Sequence, residues 1–129
     1  MASKITAGET LVSLDGEELV LRPTMRAMTQ ISRQYGGLAK ARQLLVDENI
    51  DAIAFISRLG AGMSDRDAKD LGERIYRNGV TAELLVPLIK FVAILGNGGK
   101  PLDEDAPGGD APTDEPAEAF TPGSAAGNY

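Results

Sequence analysis

Two short runs dominated by aliphatic residues, Thr10-Leu11-Val12-Ser13-Leu14 and Glu17-Glu18-Leu19-Val20-Leu21, stand near the start of the chain. Both runs are β-prone, and the Asp15-Gly16 pair between them suits a tight turn because glycine tolerates positive φ. The pattern predicts a β-hairpin with Leu19 and Leu21 on one face and Leu14 facing them across the turn. A lone hairpin is marginal in water, so this one must pack on helices or pair with another strand. Its edges offer a docking site unless the N-terminal residues cover them.

After Pro23 the apolar period lengthens from strand-like to helical. Thr24 can cap a first helix with Ala27, Met28, Ile31 and Tyr35 on one side and Arg26, Gln30 and Arg33 on the other. Gly36-Gly37 stops it. A second short helix, Leu38 to about Asp47, buries Leu38, Ala41 and Leu45; a third, Asp51 to Leu59, carries Ala52, Phe55, Ile56 and Leu59 at helical spacing. Gly60-Ala61-Gly62 breaks the chain. Ser64 then restarts it, with Asp67 where a capping box usually has Glu. The fourth helix has a narrow stripe of Ala68, Leu71, Gly72 and Ile75, which predicts a close helix–helix approach at Gly72. Asn78-Gly79 ends it.

The fifth helix is unusually apolar. Thr81 can cap it, and Glu83 suits the positive end of its dipole. Leu84, Leu85, Leu88, Ile89, Phe91, Val92 and Leu95 cover nearly half its circumference, while Val86 and Ile94 add apolar groups outside that sector. Pro87 lies past the first turn and should bend the helix near Glu83. Two arrangements fit this pattern: a central helix surrounded by the other four, which is favoured, or a face left partly open for a partner or a second copy of the chain. In the open arrangement the contact surface is led by Leu85, Val86, Ile89 and Val92.

From Asn97 the chain becomes acidic and rich in Pro, Gly and Ala, with Leu102 and Phe120 the only bulky apolar residues before Tyr129. Such a segment cannot offset its ordering entropy and is expected to be disordered alone. The expected organisation is α+β: a domain over residues 1–96, with an N-terminal β-hairpin followed by a mainly α-helical bundle of about five helices, and a disordered acidic tail over 97–129. Charge divides at the same place. Residues 1–96 balance 12 Lys/Arg against 12 Asp/Glu, whereas the tail sets Lys100 against seven carboxylates, so the net charge of −6 resides in the tail.

That distribution narrows the functional classes. Nucleic-acid binding calls for a basic stripe, and none stands out, although Arg26 and Arg33 could share a face. The chain has neither Cys nor His, which removes disulfides, thiolate chemistry and the usual zinc ligands and neutral-pH base. Carboxylate clusters stand at Asp47-Glu48, Asp51 and Asp65 to Asp70; Asp67 and Asp70 lie off the apolar stripe of their helix, where solvated charge normally sits, so no catalytic site is expected. Gly96-Asn97-Gly98-Gly99-Lys100-Pro101 ends in Gly-Lys, but it follows a helix and has Pro where a phosphate loop needs Ser or Thr. Gly60-Ala61-Gly62-Met63 is no better a phosphate loop, and Asp103-Glu104-Asp105 lacks the spacing of a calcium loop. No cofactor or metal is expected. Met1 to Lys4 begins no signal peptide, and Leu84 to Leu95, interrupted by Pro87 and Lys90, falls short of the roughly 20 residues of a membrane span.

Leu14-Asp15-Gly16 running into Leu19-Val20-Leu21-Arg22-Pro23-Thr24, then Tyr35-Gly36-Gly37-Leu38, Arg77-Asn78-Gly79 and Leu95-Gly96-Asn97-Gly98-Gly99 form a succession. It resembles the tail assembly chaperones of long-tailed bacteriophages, particularly the gene transfer agent type. The likeness spans about Ile5 to Lys100. It implies a non-enzymatic factor of virion morphogenesis, working in the bacterial host cytoplasm, that coats the tape measure protein and helps recruit tail tube subunits. Members of this family are sometimes labelled tail tube proteins, so a structural tail component is the alternative expectation. Many relatives are also made in a longer form by ribosomal frameshifting, and Gly99-Lys100 could be encoded by a slippery run of G and A bases.

Overall fold

The computed structural model describes residues 7–102. The expected tail beyond residue 102, the Asp103-Glu104-Asp105 cluster and the N-terminal residues 1–6 lie outside the described residues. The chain runs in the order β1 (Thr10–Leu14), β2 (Glu17–Leu21), α1 (Met25–Tyr35), α2 (Leu38–Val46), α3 (Ile50–Ala61), α4 (Leu71–Asn78) and α5 (Ala82–Gly96). The α+β architecture is as expected: an antiparallel hairpin leading five helices.

The hairpin register pairs Thr10 with Leu21, Val12 with Leu19 and Leu14 with Glu17. Because side chains alternate along a strand, Val12, Leu14, Leu19 and Leu21 share one face, and all four are buried. Asp15 (φ 51°) and Gly16 (φ 82°) both take positive φ at the turn. That is the requirement of a type I′ hairpin, whose twist matches the flanking strands.

Caps at the helix starts are local chemistry. Thr24 Oγ1 accepts the Ala27 N–H at 3.0 Å, Asn49 Oδ1 accepts the Ala52 N–H at 2.9 Å, and Thr81 Oγ1 accepts the Leu84 N–H at 3.3 Å. Each satisfies one of the first-turn donors a helix leaves open. Gly36 (φ 78°) closes α1 in the left-handed conformation, with its N–H on the Ser32 carbonyl at 2.8 Å.

α5 is the central helix. It packs against β1, α1, α2 and α3, and Leu84, Leu88, Phe91 and Val92 are fully enclosed. Ile94, expected outside the apolar sector, is buried as well. The wide apolar face is therefore used within the chain. Among the described residues no helix is long and apolar enough to cross a membrane.

Three expectations are corrected. α4 begins at Leu71, not Ser64. Ser64 Oγ does accept the Asp67 N–H at 3.1 Å, but the cap opens a run of turns. Between Asp65 and Asp70 only Ala68 could be buried, too little apolar surface to hold a helix against a neighbour. The close approach is also elsewhere: a Cβ on Gly72 would meet nothing within 4 Å, whereas one on Gly60 would lie 3.1 Å from Leu21 Cβ and 3.1 Å from Phe91 Cε2. Gly60 does not break α3 but sits inside it, and Gly62 (φ 69°) provides the C-terminal cap. The Gly60 carbonyl, left open near the helix end, accepts the Arg22 N–H at 2.9 Å and so ties α3 to the exit of β2.

Beyond Gly96 the chain stays in contact with the domain. Asn97 Nδ2 donates to the Lys100 and Pro101 carbonyls, each at 3.1 Å. Gly99 lies against Pro23, and a Cβ on Gly8 would run into the Gly99 carbonyl oxygen.

Gly60→Ala should destabilise the fold. The helix-propensity gain of about 1 kcal/mol is outweighed by overpacking, typically ~1–3 kcal/mol, against a backbone-proximal Leu21 carbon and a fixed ring. A lower urea midpoint with unchanged slope is expected; an unchanged or higher midpoint would refute the close contact. Ser57 is fully buried, and its hydroxyl has no partner among the described residues. Ser57→Ala removes an unsatisfied polar atom, whose burial costs ~1–3 kcal/mol, so the melting temperature should rise by a few degrees in calorimetry.

Candidate functional site

The four residues expected to lead an open face on α5 are not brought together at the surface. Val92 is fully enclosed and Leu85 is 9% exposed; Ile89 is half-buried against the core, and Val86 is 60% exposed. Leu85 and Val92, seven residues apart, fall on the stripe that faces the core. Val86 instead lies on the outer edge of α5 with Glu83, three residues before it, and Lys90, four after. The other large apolar side chains exposed among the described residues are Met25, Val46, Ile50 and Tyr76. Each helix thus shows one, the ordinary scatter of a folded surface, not one continuous patch.

A second feature joins residues far apart in sequence. Arg77 Nε and Nη2 donate to Asp15 Oδ2 at 3.1 and 2.8 Å across 62 residues. Asn78 Oδ1 accepts the Asp15 N–H at 2.8 Å, and Arg74 pairs with Glu17. Arg77 also reaches Glu73, one helical turn back, at 3.1 Å. α4 therefore grips the hairpin turn at Asp15 and Glu17 through Arg74, Arg77 and Asn78. Hydrogen bonding to Asp15, with its negative charge, raises the Arg77 guanidinium above its ordinary value.

The third feature was not foreseen. A groove of about 470 Å³ opens between the start of α1 and the end of α3. Phe55, Leu59 and Met63 supply apolar wall, while Arg22, Arg26 and Arg58 supply charge, and no Asp or Glu lines it. Arg22 pairs with Glu9 at 3.3 Å and Arg58 with Asp65, both acids lying outside the lining. The start of α1 has no acidic residue in its first turn, so the positive end of its dipole is not offset by its own side chains. Of the Arg26–Arg33 pair considered from sequence, only Arg26 lines the groove. The missing signal was tertiary: Arg22 and Arg58 converge only because Gly60 lets α3 close on β2.

Burial raises the Tyr35 phenol above its ordinary value, and the Asp51 carboxylate adds to the effect. Tyr35 stacks edge-on to Phe55 with ring centroids 5.7 Å apart. The shifts of Tyr35 and Arg77 both carry them further from exchange at neutral pH. Among the described residues, no group of three or more Asp or Glu is placed to hold a metal ion. Gly60 to Met63 forms the carbonyl end of α3, the wrong pole for cradling a phosphate.

Comparison with protein-family models, curated proteins and solved structures finds no match to this chain.

The grip of α4 on the hairpin separates two physical contributions. Asn78→Ala should lower stability by about 1 kcal/mol, the usual net worth of such a hydrogen bond, with little dependence on salt. Arg77→Ala should also lower the melting temperature, but by an amount that shrinks at high ionic strength, because exposed ion pairs are screened. Urea titrations at low and high salt distinguish the two, and a salt-independent Arg77 effect would contradict this assignment.

Proposed function

We propose that this protein is a non-enzymatic tail assembly chaperone of the long-tailed phage and gene transfer agent type. In this reading it works in the host cytoplasm, binding the tape measure protein and assisting tail tube assembly. The observation that carries the reading is the meeting of Leu14-Asp15-Gly16 with Arg77-Asn78-Gly79. Two segments on which the resemblance rests, scattered in sequence, form one joint through Asp15, Arg77 and Asn78. Their contact supports the reading by joining two of the segments that carry the resemblance.

The surface on α5 that a client can cover is narrower than the sequence suggested. Val86 projects and Ile89 borders it; Leu85 and Val92 act through the core and reach no client directly. A small apolar edge between Glu83 and Lys90 suits a helix laid across it, the mode by which an amphipathic client segment is shielded.

Co-expression with a long helical frame encoded beside the gene, followed by affinity purification, tests the reading. The two proteins should co-purify, and Val86→Asp combined with Ile89→Asp should abolish this while the variant keeps its helical circular dichroism. Val92→Ala should act differently, lowering stability by roughly 1–3 kcal/mol as a core truncation without removing the surface. Co-purification that survives the double substitution would defeat the surface assignment. Recovery of the chain as a stoichiometric subunit of finished particles would favour a tube component instead.

A further inference from the structure

We infer that the arginine-lined groove between α1 and the end of α3 is the seat of the chain's own acidic segment, residues 103–129. The inference concerns the free protein and does not depend on the identity of any client.

The chemistry of the groove selects an anion with some apolar surface. Arg22, Arg26 and Arg58 line it alongside Phe55, Leu59 and Met63, and no carboxylate shares the lining. Arg26 is exposed and makes no hydrogen bond or ion pair with the described residues. The neighbouring concavities differ. One sets Arg66, Lys69 and Arg74 against Asp67, Asp70 and Glu73, and another sets Arg22 and Arg74 against Glu17, Glu18 and Asp67. Neither offers the carboxylate-free lining of the arginine groove.

The chain supplies a matching segment close at hand. Residues 103–129 carry Asp103, Glu104, Asp105, Asp110, Asp114, Glu115 and Glu118 without a single Lys or Arg, and Phe120 follows the last acid by two positions. The segment also departs from the right place. Gly98 and Gly99 line a small cleft with Pro23, Thr24 and Met25, and Thr24 lines both that cleft and the arginine groove. Extended chain advances at most about 3.3–3.6 Å per residue, so the sixteen residues from Leu102 to Glu118 could cross a domain whose radius of gyration is about 13 Å. Tethering raises the local concentration of the segment to the order of millimolar. Individually weak charge contacts are then enough to hold it.

The chain has no cysteine, so Thr113→Cys creates a unique attachment point for a nitroxide among the acids. In the full-length protein, paramagnetic loss of amide signals should concentrate on Arg22 to Ala27 and Arg58 to Met63. It should be relieved by Arg26→Glu, which alters an exposed side chain and leaves the core resonances in place. Salt near 1 M, where the Debye length is about 3 Å, should relieve it too. Absent loss, loss spread evenly over the domain, or loss centred on α4 would overturn the inference and would direct attention to an acidic segment of another protein. Because the experiment contains no client, its failure leaves the co-purification test untouched.

Discussion

The contact at Gly60 is the constraint on which the rest of the molecule depends. Three elements meet there, and only a residue without a side chain lets α3 lie against Leu21 of β2 and Phe91 of α5 at once. The Arg22 N–H then satisfies the Gly60 carbonyl, converting a van der Waals approach into a fixed orientation. Moving α3 outward by the width of a methyl group would open the core around Phe91. It would also part Arg22 from Arg58, so the groove is a consequence of the packing and not an independent device.

The same contact explains why α5 is so apolar. A helix touched by a sheet on one side and by three helices on the others has little circumference left for polar residues. Glu83 and Lys90 mark the strip that remains. Val86 stands on that strip because its neighbours turn inward. Its exposure is thus a residue of the packing geometry, which limits any client on α5 to a narrow line of contact.

What could be read from sequence was what depends on near neighbours in the chain. The Asp15-Gly16 turn, the Thr24 and Thr81 caps and the central place of α5 all follow from local patterns or from gross apolar content. Gly60 and Gly72 show where that ends. Both are glycines flanked by apolar residues at helical spacing, yet only Gly60 is pressed, because its partners Leu21 and Phe91 come from distant elements. The start of α4 is hidden from sequence for a similar reason. A capping side chain is a local signal, but whether a helix follows depends on apolar surface that Asp65 to Asp70 does not have. The four candidate contact residues on α5 failed to share a surface because a period of 3.6 gives relative directions without saying which direction faces the core. The groove could not be read at all, since Arg22, Arg26 and Arg58 belong to three separate segments.

Electrostatics gives the domain a direction that its neutral total conceals. α3 has 12 residues and, at 1.5 Å per residue, spans roughly 18 Å. Asp47, Glu48 and Asp51 gather at its N-terminal end, and Arg58 stands in its last turn. Each sign thus sits where the helix dipole favours it. At the groove the negative end of α3 faces the positive start of α1, so the two dipoles largely offset one another. The arginine side chains are left to set the local potential. An acidic polypeptide is therefore disfavoured at the α2–α3 joint relative to the opposite end of α3. Glu9 and Asp65, just outside the groove lining, already pair with Arg22 and Arg58, so Arg26 is the cation on which any further acid would act.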